Sequence, residues 1–332
     1  MTYLNYNSTS FLGGVLNPSD IGYDIVKENQ LELNALVKKI KIMVNAPPDA
    51  KCIFTSGATE GIATFMHWAL TPTSSNGGGL IDDLTQMYAG SGNREIVGTV
   101  FDHPAIIDNA LNYGGTYSHM SESNIKKAAG VVFTQVNGKT GEYIQVRNIY
   151  SKISGTIPGL VLLDATQSIG KIPVNMQEAR ADAVIFSFHK INGPMNLGCM
   201  IISERKRKFI PLIAGEQQDK LRGGTLNLFA LNGFEFEEIP RLSEKRWNEV
   251  FDKFVKAGLD VYKPRTIHLH DTFLISCEGC PIERVNKLSK QGIYIGTATA
   301  CEQGNDGKIR ITARHDDELN NKTVDAIIKA LS

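Results

Sequence analysis

The sequence predicts an α/β fold. Short apolar, β-branched runs alternate with helical stretches through the first two thirds of the chain, and several of those runs are apolar almost without interruption. The runs are KCIFTS (51–56), EIVGTVF (95–101), GVVFTQV (130–136), LVLLDA (160–165), ADAVIFSF (181–188) and GCMIIS (198–203). A strand buried on both faces has no polar side to show, so LVLLD and AVIFS point to a mainly parallel sheet covered by helices on each side. A third observation divides the chain. From Leu226 onward the pattern turns to charged helix (LSEKRWNEVFDKFVKAGL) with short strands (FLISC, GIYIG), which predicts a smaller α/β domain toward the carboxyl terminus. The expected division is a large domain over 15–228 and a small one formed by 1–14 with 229–332.

With 332 residues and 42% hydrophobic composition, the chain can bury a substantial core. Its 35 basic and 35 acidic residues balance. No overall field therefore draws it to nucleic acid or to a membrane surface, and a charged ligand must be held by a local site. The start, MTYLNYNSTSF, lacks the basic and apolar regions of a secretory signal, and no apolar run approaches transmembrane length. Five cysteines (Cys52, Cys199, Cys277, Cys280, Cys301) form an odd set that suits reduced thiols, so a cytoplasmic protein is expected.

Open α/β sheets bind ligands outside the carboxyl ends of their strands. Thr55–Glu60, Asp102–His103, Asp164–Gln167 and Ser187–Lys190 all follow predicted strands, so they are expected to converge. In SFHKINGP, Lys190 comes directly after a buried strand. Alone, such a lysine is most simply one that snorkels; desolvated in a cleft, it suits Schiff-base formation with an aldehyde cofactor. Asp164 in DATQSIGK follows LVLL. It either caps the next element or meets a cation such as a protonated pyridine nitrogen. TSGATEG (55–61) opens a predicted helix (IATFMHWAL), whose free amides and dipole suit a phosphate; an ordinary N-cap by Ser56 or Thr59 explains the same turn. Ser187 and His189 are further phosphate donors. His103 in FDHPAI is either structural or a planar proton shuttle.

In order along the chain, YLNYNSTS, LNPSDIGYD, TSGATEG, FDHPAI, VNGKTG, DATQSIGK, SFHKINGP, LRGGTLN, TATAC and KIRIT resemble the motifs of aminotransferase class V enzymes, which depend on pyridoxal 5′-phosphate (PLP), and among them the NifS/IscS-like cysteine desulfurases. The resemblance implies the type I PLP-dependent transferase fold, with a seven-stranded type of sheet. It implies Lys190 as the cofactor-binding lysine, His103 stacked on the ring, Asp164 on the pyridine nitrogen and Gln167 near the phenolic oxygen. Ala58, Thr59, Ser187 and His189 fall around the phosphate, and Thr225 reaches the phosphate of a neighbouring subunit in a homodimer. Arg310 matches the arginine that binds the substrate carboxylate, with Asn137 a second substrate contact. Cys301 matches the nucleophile that takes sulfur from L-cysteine as a persulfide, leaving L-alanine and supplying a sulfur-acceptor protein in cofactor or iron–sulfur assembly.

Three departures from the family pattern stand out. Gly138 replaces the second asparagine of the VNNE-like run, and AGEQQDKL (214–221) keeps Gln217 but loses two glycines and an arginine. Cys301 stands only nine positions before Arg310, so a catalytic Cys301 has to lie close to the substrate. The chain also ends soon after its last predicted helix, which removes an extension used elsewhere to dock acceptors. Alternatives are another class V enzyme (a selenocysteine lyase or aminotransferase) and a non-catalytic partner protein with the same fold. Cys277 and Cys280 in CEGC are expected to be structural, with no metal bound.

Overall fold

The protein is described from a computed structural model that covers residues 2–4, 25–72, 94–147, 156–231, 234–298 and 307–332. Cys301, the YLNYNSTS and LNPSDIGYD motifs past Leu4, and the Gly-, Ser- and Asn-rich stretches TPTSSNGGG (71–79, past Pro72) and YAGSGN (88–93), whose composition predicts a surface insertion, lie outside the described residues. The chain runs β1 (Thr2–Tyr3), α1 (Ile25–Met43), β2 (Lys51–Thr55), α2 (Ala58–Leu70), β3 (Glu95–Gly98), α3 (Pro104–Asn112), β4 (Thr116–His119), β5 (Gly130–Thr134), β6 (Leu160–Asp164), β7 (Ala183–Ser187) and β8 (Gly198–Ile202). It continues through α4 (Glu244–Lys256), β9 (Thr272–Ser276), α5 (Pro281–Ser289), β10 (Ile293–Tyr294), β11 (Gly296–Thr297), β12 (Lys308–Thr312) and α6 (Asn321–Leu331).

Seven strands form one sheet in the order β2-β8-β7-β6-β5-β3-β4, parallel except that β8 runs against β2 and β7. Every residue of β5, β6, β7 and β8 is buried, which is why their sequences carry almost no polar positions. The strand period of two sorts their side chains between two cores. Val131, Phe133, Leu163, Val184 and Phe186 face the side covered by Leu36 and Ile40 of α1 and by Val44 just past it. Val132, Leu162, Ile185 and Met200 face α2 and α3, where Phe65, Met66, Trp68 and Ile106 are fully enclosed. Each of those large side chains contributes roughly 2 kcal/mol by burial. Gly61 lets α2 sit this close, because a Cβ there would stand 3.0 Å from Ile185 Cγ2.

The six predicted runs all form strands, with ends trimmed by up to three residues; EIVGTVF stops at Gly98. The seventh, β4 (TYSH), is half exposed at the sheet edge and has no apolar run to announce it. A third core holds Leu4 together with α4, α6, β9 and β12 around Trp247, Phe254, Phe273, Ile309 and Ile311. Its three-stranded sheet runs β11-β12-β9, and Leu4 N–H donates to Tyr294 O, tying the start of the chain to this unit. No helix among the described residues is long and apolar enough to cross a membrane.

Candidate active site

The carboxyl ends of the parallel strands open on a cavity of about 400 Å³, lined by residues from both units. Ten of the candidate residues meet there: Ala58, Thr59, His103, Asn137, Asp164, Gln167, Ser187, His189, Lys190 and Arg310. Thr225 does not line it and is exposed. Cys301 cannot be placed, since it lies outside the described residues.

The turn between β2 and α2 lacks the ordinary cap that TSGATEG offered. The N-cap of α2 is Gly57, with no side-chain cap from Ser56 or Thr59. The Ala58 amide instead donates to Ser187 Oγ at 2.7 Å, across from the end of β7. The first turn of α2 and the Ser187 hydroxyl therefore stand together on the cavity wall, an arrangement that suits an anion. Gly198 makes the approach possible: a Cβ there would fall 2.5 Å from the Gly57 carbonyl carbon.

Beside it, burial and then the neighbouring Lys190 charge hold the His189 imidazole down at about 4, so the ring is neutral near pH 7, with one donor and one acceptor. His103 starts α3, accepting the Ala105 N–H on Nδ1 at 3.1 Å, with Pro104 at the first helical position. That bond leaves Nε2 to carry the proton of the neutral ring. Burial lowers its basicity, and Asp164 partly restores it.

Asp164 ends β6 only 5% exposed. Its Oδ1 accepts the Thr166 amide at 2.9 Å. Burial pushes its carboxyl above the ordinary range, against the pull of Thr166, His103 and Lys190. A cation brought against it would reverse that cost.

A second carboxylate, the half-buried Asp102, receives Thr99 Oγ1 and Thr134 Oγ1 at 2.7 and 2.6 Å and Tyr117 OH at 3.0 Å. Sequence alone did not single out Thr134, whose one signal is a polar residue ending an apolar strand.

The opposite wall comes from β12. Arg310, buried, donates from Nη1 to the Gly138 carbonyl at 3.2 Å. Asn137 has its side-chain oxygen committed to the turn, accepting the Lys139 and Thr140 amides at 2.8 and 3.4 Å. Gly138 leaves room: a Cβ on it would meet Gln167 at an ordinary 3.5 Å.

The aminotransferase class-V family pattern matches residues 16–242 of this chain. The chain belongs to the aminotransferase class V family. A cysteine desulfurase of Enterobacter agglomerans is 26% identical to this class V protein over 239 residues, which are 65% of the chain and 53% of the relative. The cysteine desulfurase IscS of Dictyoglomus turgidum is 26% identical over 316 residues, 86% and 75% of the two chains. The chain thus spans about half the length of the first relative and three quarters of the second. A NifS-like protein of known structure superposes with a TM-score of 0.73 at 22% identity, covering 99% of this chain and 98% of the other.

PLP is the cofactor the class V resemblance implies, and the cavity has a suitable partner for each of its parts. The α2 amides, Ser187 and the neutral His189 suit a phosphate, Asp164 suits a protonated ring nitrogen, and Lys190 faces the same space as both. Cys52, Cys199, Cys277 and Cys280 are free thiols, and no cluster suited to a metal ion occurs among the described residues.

Proposed function

We propose that this chain is a PLP-dependent cysteine desulfurase. The observation that carries the reading is the single cavity in which Lys190, the buried Asp164, the start of α2 and Arg310 meet. The desulfurase relatives favour L-cysteine as the substrate.

When bound, PLP supplies an electron sink for bond breaking at the substrate α-carbon. The protein's residues then have separable tasks. Lys190 Nζ would hold the cofactor and, when free, would take the α-proton. The Asp164 carboxylate would keep the ring nitrogen protonated. Thr59, Ser187, His189 and the Ala58 turn would hold the phosphate, with Gln167 toward the ring oxygen. His103 would lie beside the ring and move protons through Nε2. Arg310 would bind the substrate carboxylate with its fork, a charge-assisted two-point contact. Cys301, as thiolate, would attack the substrate sulfur; the sulfur–Cβ bond breaks with its electron pair left on carbon, which is protonated on the way to L-alanine, and Cys301 keeps the sulfur as a persulfide.

Division into a large domain (15–228) and a small one (1–14 with 229–332), a homodimer in which Thr225 serves the neighbouring phosphate site, a cytoplasmic location and transfer to a sulfur-acceptor protein belong to the same reading.

The test is purified protein with PLP and L-cysteine, measuring L-alanine and protein-bound persulfide. Expected are alanine formation, persulfide on Cys301, and loss of the cofactor's visible absorbance in Lys190→Ala. Alanine without persulfide on Cys301 removes that residue as nucleophile. No turnover with cysteine, but turnover with another amino acid, replaces the desulfurase reading with a different class V activity.

A further inference from the structure

The turn that carries Lys190 is held from two sides, and only one belongs to the large sheet. Beneath it, the Phe188 ring packs against Phe54, Phe186 and Phe234 with centroids 6.2, 5.3 and 5.1 Å away. The amides of Ile191 and Gly193 both return to the Phe188 carbonyl, at 2.9 and 2.8 Å. Gly193 is required there, since a Cβ would lie 2.8 Å from both Phe188 Cβ and Phe234 Cε2. Between them Asn192 adopts φ 63°, a left-handed conformation that asparagine tolerates better than most residues with a side chain. Its side chain is held from outside the turn.

The second hold is Arg314, two residues past β12 and only 5% exposed. Its Nη1 donates to Asn192 Oδ1 at 2.5 Å, and its Nη2 lies 3.5 Å from the Lys190 carbonyl oxygen. Arg314 is itself anchored: its amide donates to Glu318 Oε2 at 2.7 Å, and the preceding Ala313 amide to Asp271 O at 2.9 Å. Asp271 is fixed in turn by the buried Lys171 ammonium at 3.2 Å and the Thr272 hydroxyl at 2.8 Å. Four residues before Arg314 on the same segment stands Arg310, whose guanidinium faces the cavity.

We propose that Arg314 is a positioning residue for Lys190. From the small unit it holds the Lys190 turn in its left-handed form, so the strand that presents Arg310 also sets where the lysine amine points. Nζ sits at the end of a four-carbon stem, and a small tilt of the turn displaces it by much more than the backbone moves. This rests on the reading of Lys190 as the cofactor-binding lysine.

The experiment compares Arg314→Met with Asn192→Asp: the first removes the hold, and the second keeps an acceptor for Arg314. In cofactor-free protein, hydrogen exchange at the Ile191 and Gly193 amides should quicken by about tenfold or more in Arg314→Met. In PLP-loaded enzyme, that variant should lose about tenfold or more in kcat with KM for L-cysteine within roughly twofold. The pH midpoint of the cofactor's visible absorbance should also move, whereas Asn192→Asp stays near the parent in all three readouts. Unchanged amide exchange, or a wild-type kcat and absorbance midpoint, in Arg314→Met overturns the proposal. If the protein binds no PLP, the reading of Lys190 fails, while amide exchange still decides whether Arg314 holds the turn.

Discussion

The floor and the far wall of the cavity are built in different ways. The floor is a row of strand ends in one sheet, where Asp164, Ser187 and Lys190 emerge directly from fully buried strands with aromatic packing below. The far wall is joined to it by hydrogen bonds instead: backbone pairing of Gly141 and Tyr143 with Leu269 and Ile267, and contacts of single charged side chains, Arg310 to Gly138, Arg314 to Asn192 and Lys171 to Asp271. Dense apolar packing makes the floor rigid in any state of the site. Charged contacts made by single side chains can be exchanged for a ligand, which suits the wall to respond to substrate. The difference teaches that substitutions in the floor should act first on folding and cofactor retention, and those in the wall on substrate affinity.

The sharpest way to break this contrast is Phe188→Ala. Phe188 is fully buried at the centre of the aromatic group, so the change should cost about 3–5 kcal/mol of stability and release cofactor. Thermal unfolding and PLP retention on gel filtration measure both, and a protein of parent stability that keeps its cofactor would refute the floor's assigned role. Next in size is Arg310→Gln. It should leave melting within a few degrees but raise KM for L-cysteine by roughly 100-fold, through loss of a two-point contact to the carboxylate. A large fall in melting temperature with unchanged KM would move Arg310 from substrate binding to structure.

A smaller effect separates the two regions by pH. His189 in the floor has its folded value held at about 4, against 6.5 for an ordinary histidine. Between those values the unfolded chain binds the proton and the folded one does not, so His189 makes the protein less stable as pH falls from 6.5 toward 4. In His189→Asn the cofactor-free protein should lose less stability over that range, by on the order of 1–2 kcal/mol given the partial exposure of the ring. Denaturant melts at pH 6.5 and 4.5 test this; an equal loss in both proteins would mean that His189 titrates normally in the fold.

The sequence carried the floor well, because a run such as LVLLD followed by polar residues names both the strand and the place where it ends. It carried the wall poorly. Arg314 contacts Asn192 across 122 positions, and nothing local to HDDE or TAR announces the partnership. Asn137 was legible as a polar residue at a strand end, but the use of its oxygen within its own turn depends on backbone geometry. The partner of the first α2 amide was likewise undecidable until Ser187, 129 positions away, appeared on Ala58 N–H. β4 was missed because an edge strand with one face open needs no apolar run.

The altered run at 214–221 supplies the smallest and most local test. Gln218, Asp219 and Lys220 occupy φ values of 48°, 56° and 63°, three successive left-handed residues in a stretch where the family pattern is rich in glycine. Gln218 has a reason to stay. Its side chain accepts the Phe54 amide at 2.7 Å and donates to the Phe54 carbonyl at 3.1 Å, closing the outer edge of β2. Lys220 has little to offset its strain: its ammonium makes one exposed ion pair with Glu216 at 3.3 Å, an interaction worth at most a few tenths of a kcal/mol. Lys220→Gly should therefore stabilise the protein by roughly 0.5–1 kcal/mol, because glycine takes the left-handed conformation without a Cβ clash, and the relief exceeds the lost ion pair and added chain entropy. Gln218→Ala should do the opposite, by uncovering both polar groups of Phe54. Urea melts of the two variants separate strain from bracing: if Lys220→Gly proves less stable than the parent, the left-handed run is held by contacts stronger than those seen, and the lysine is there for them.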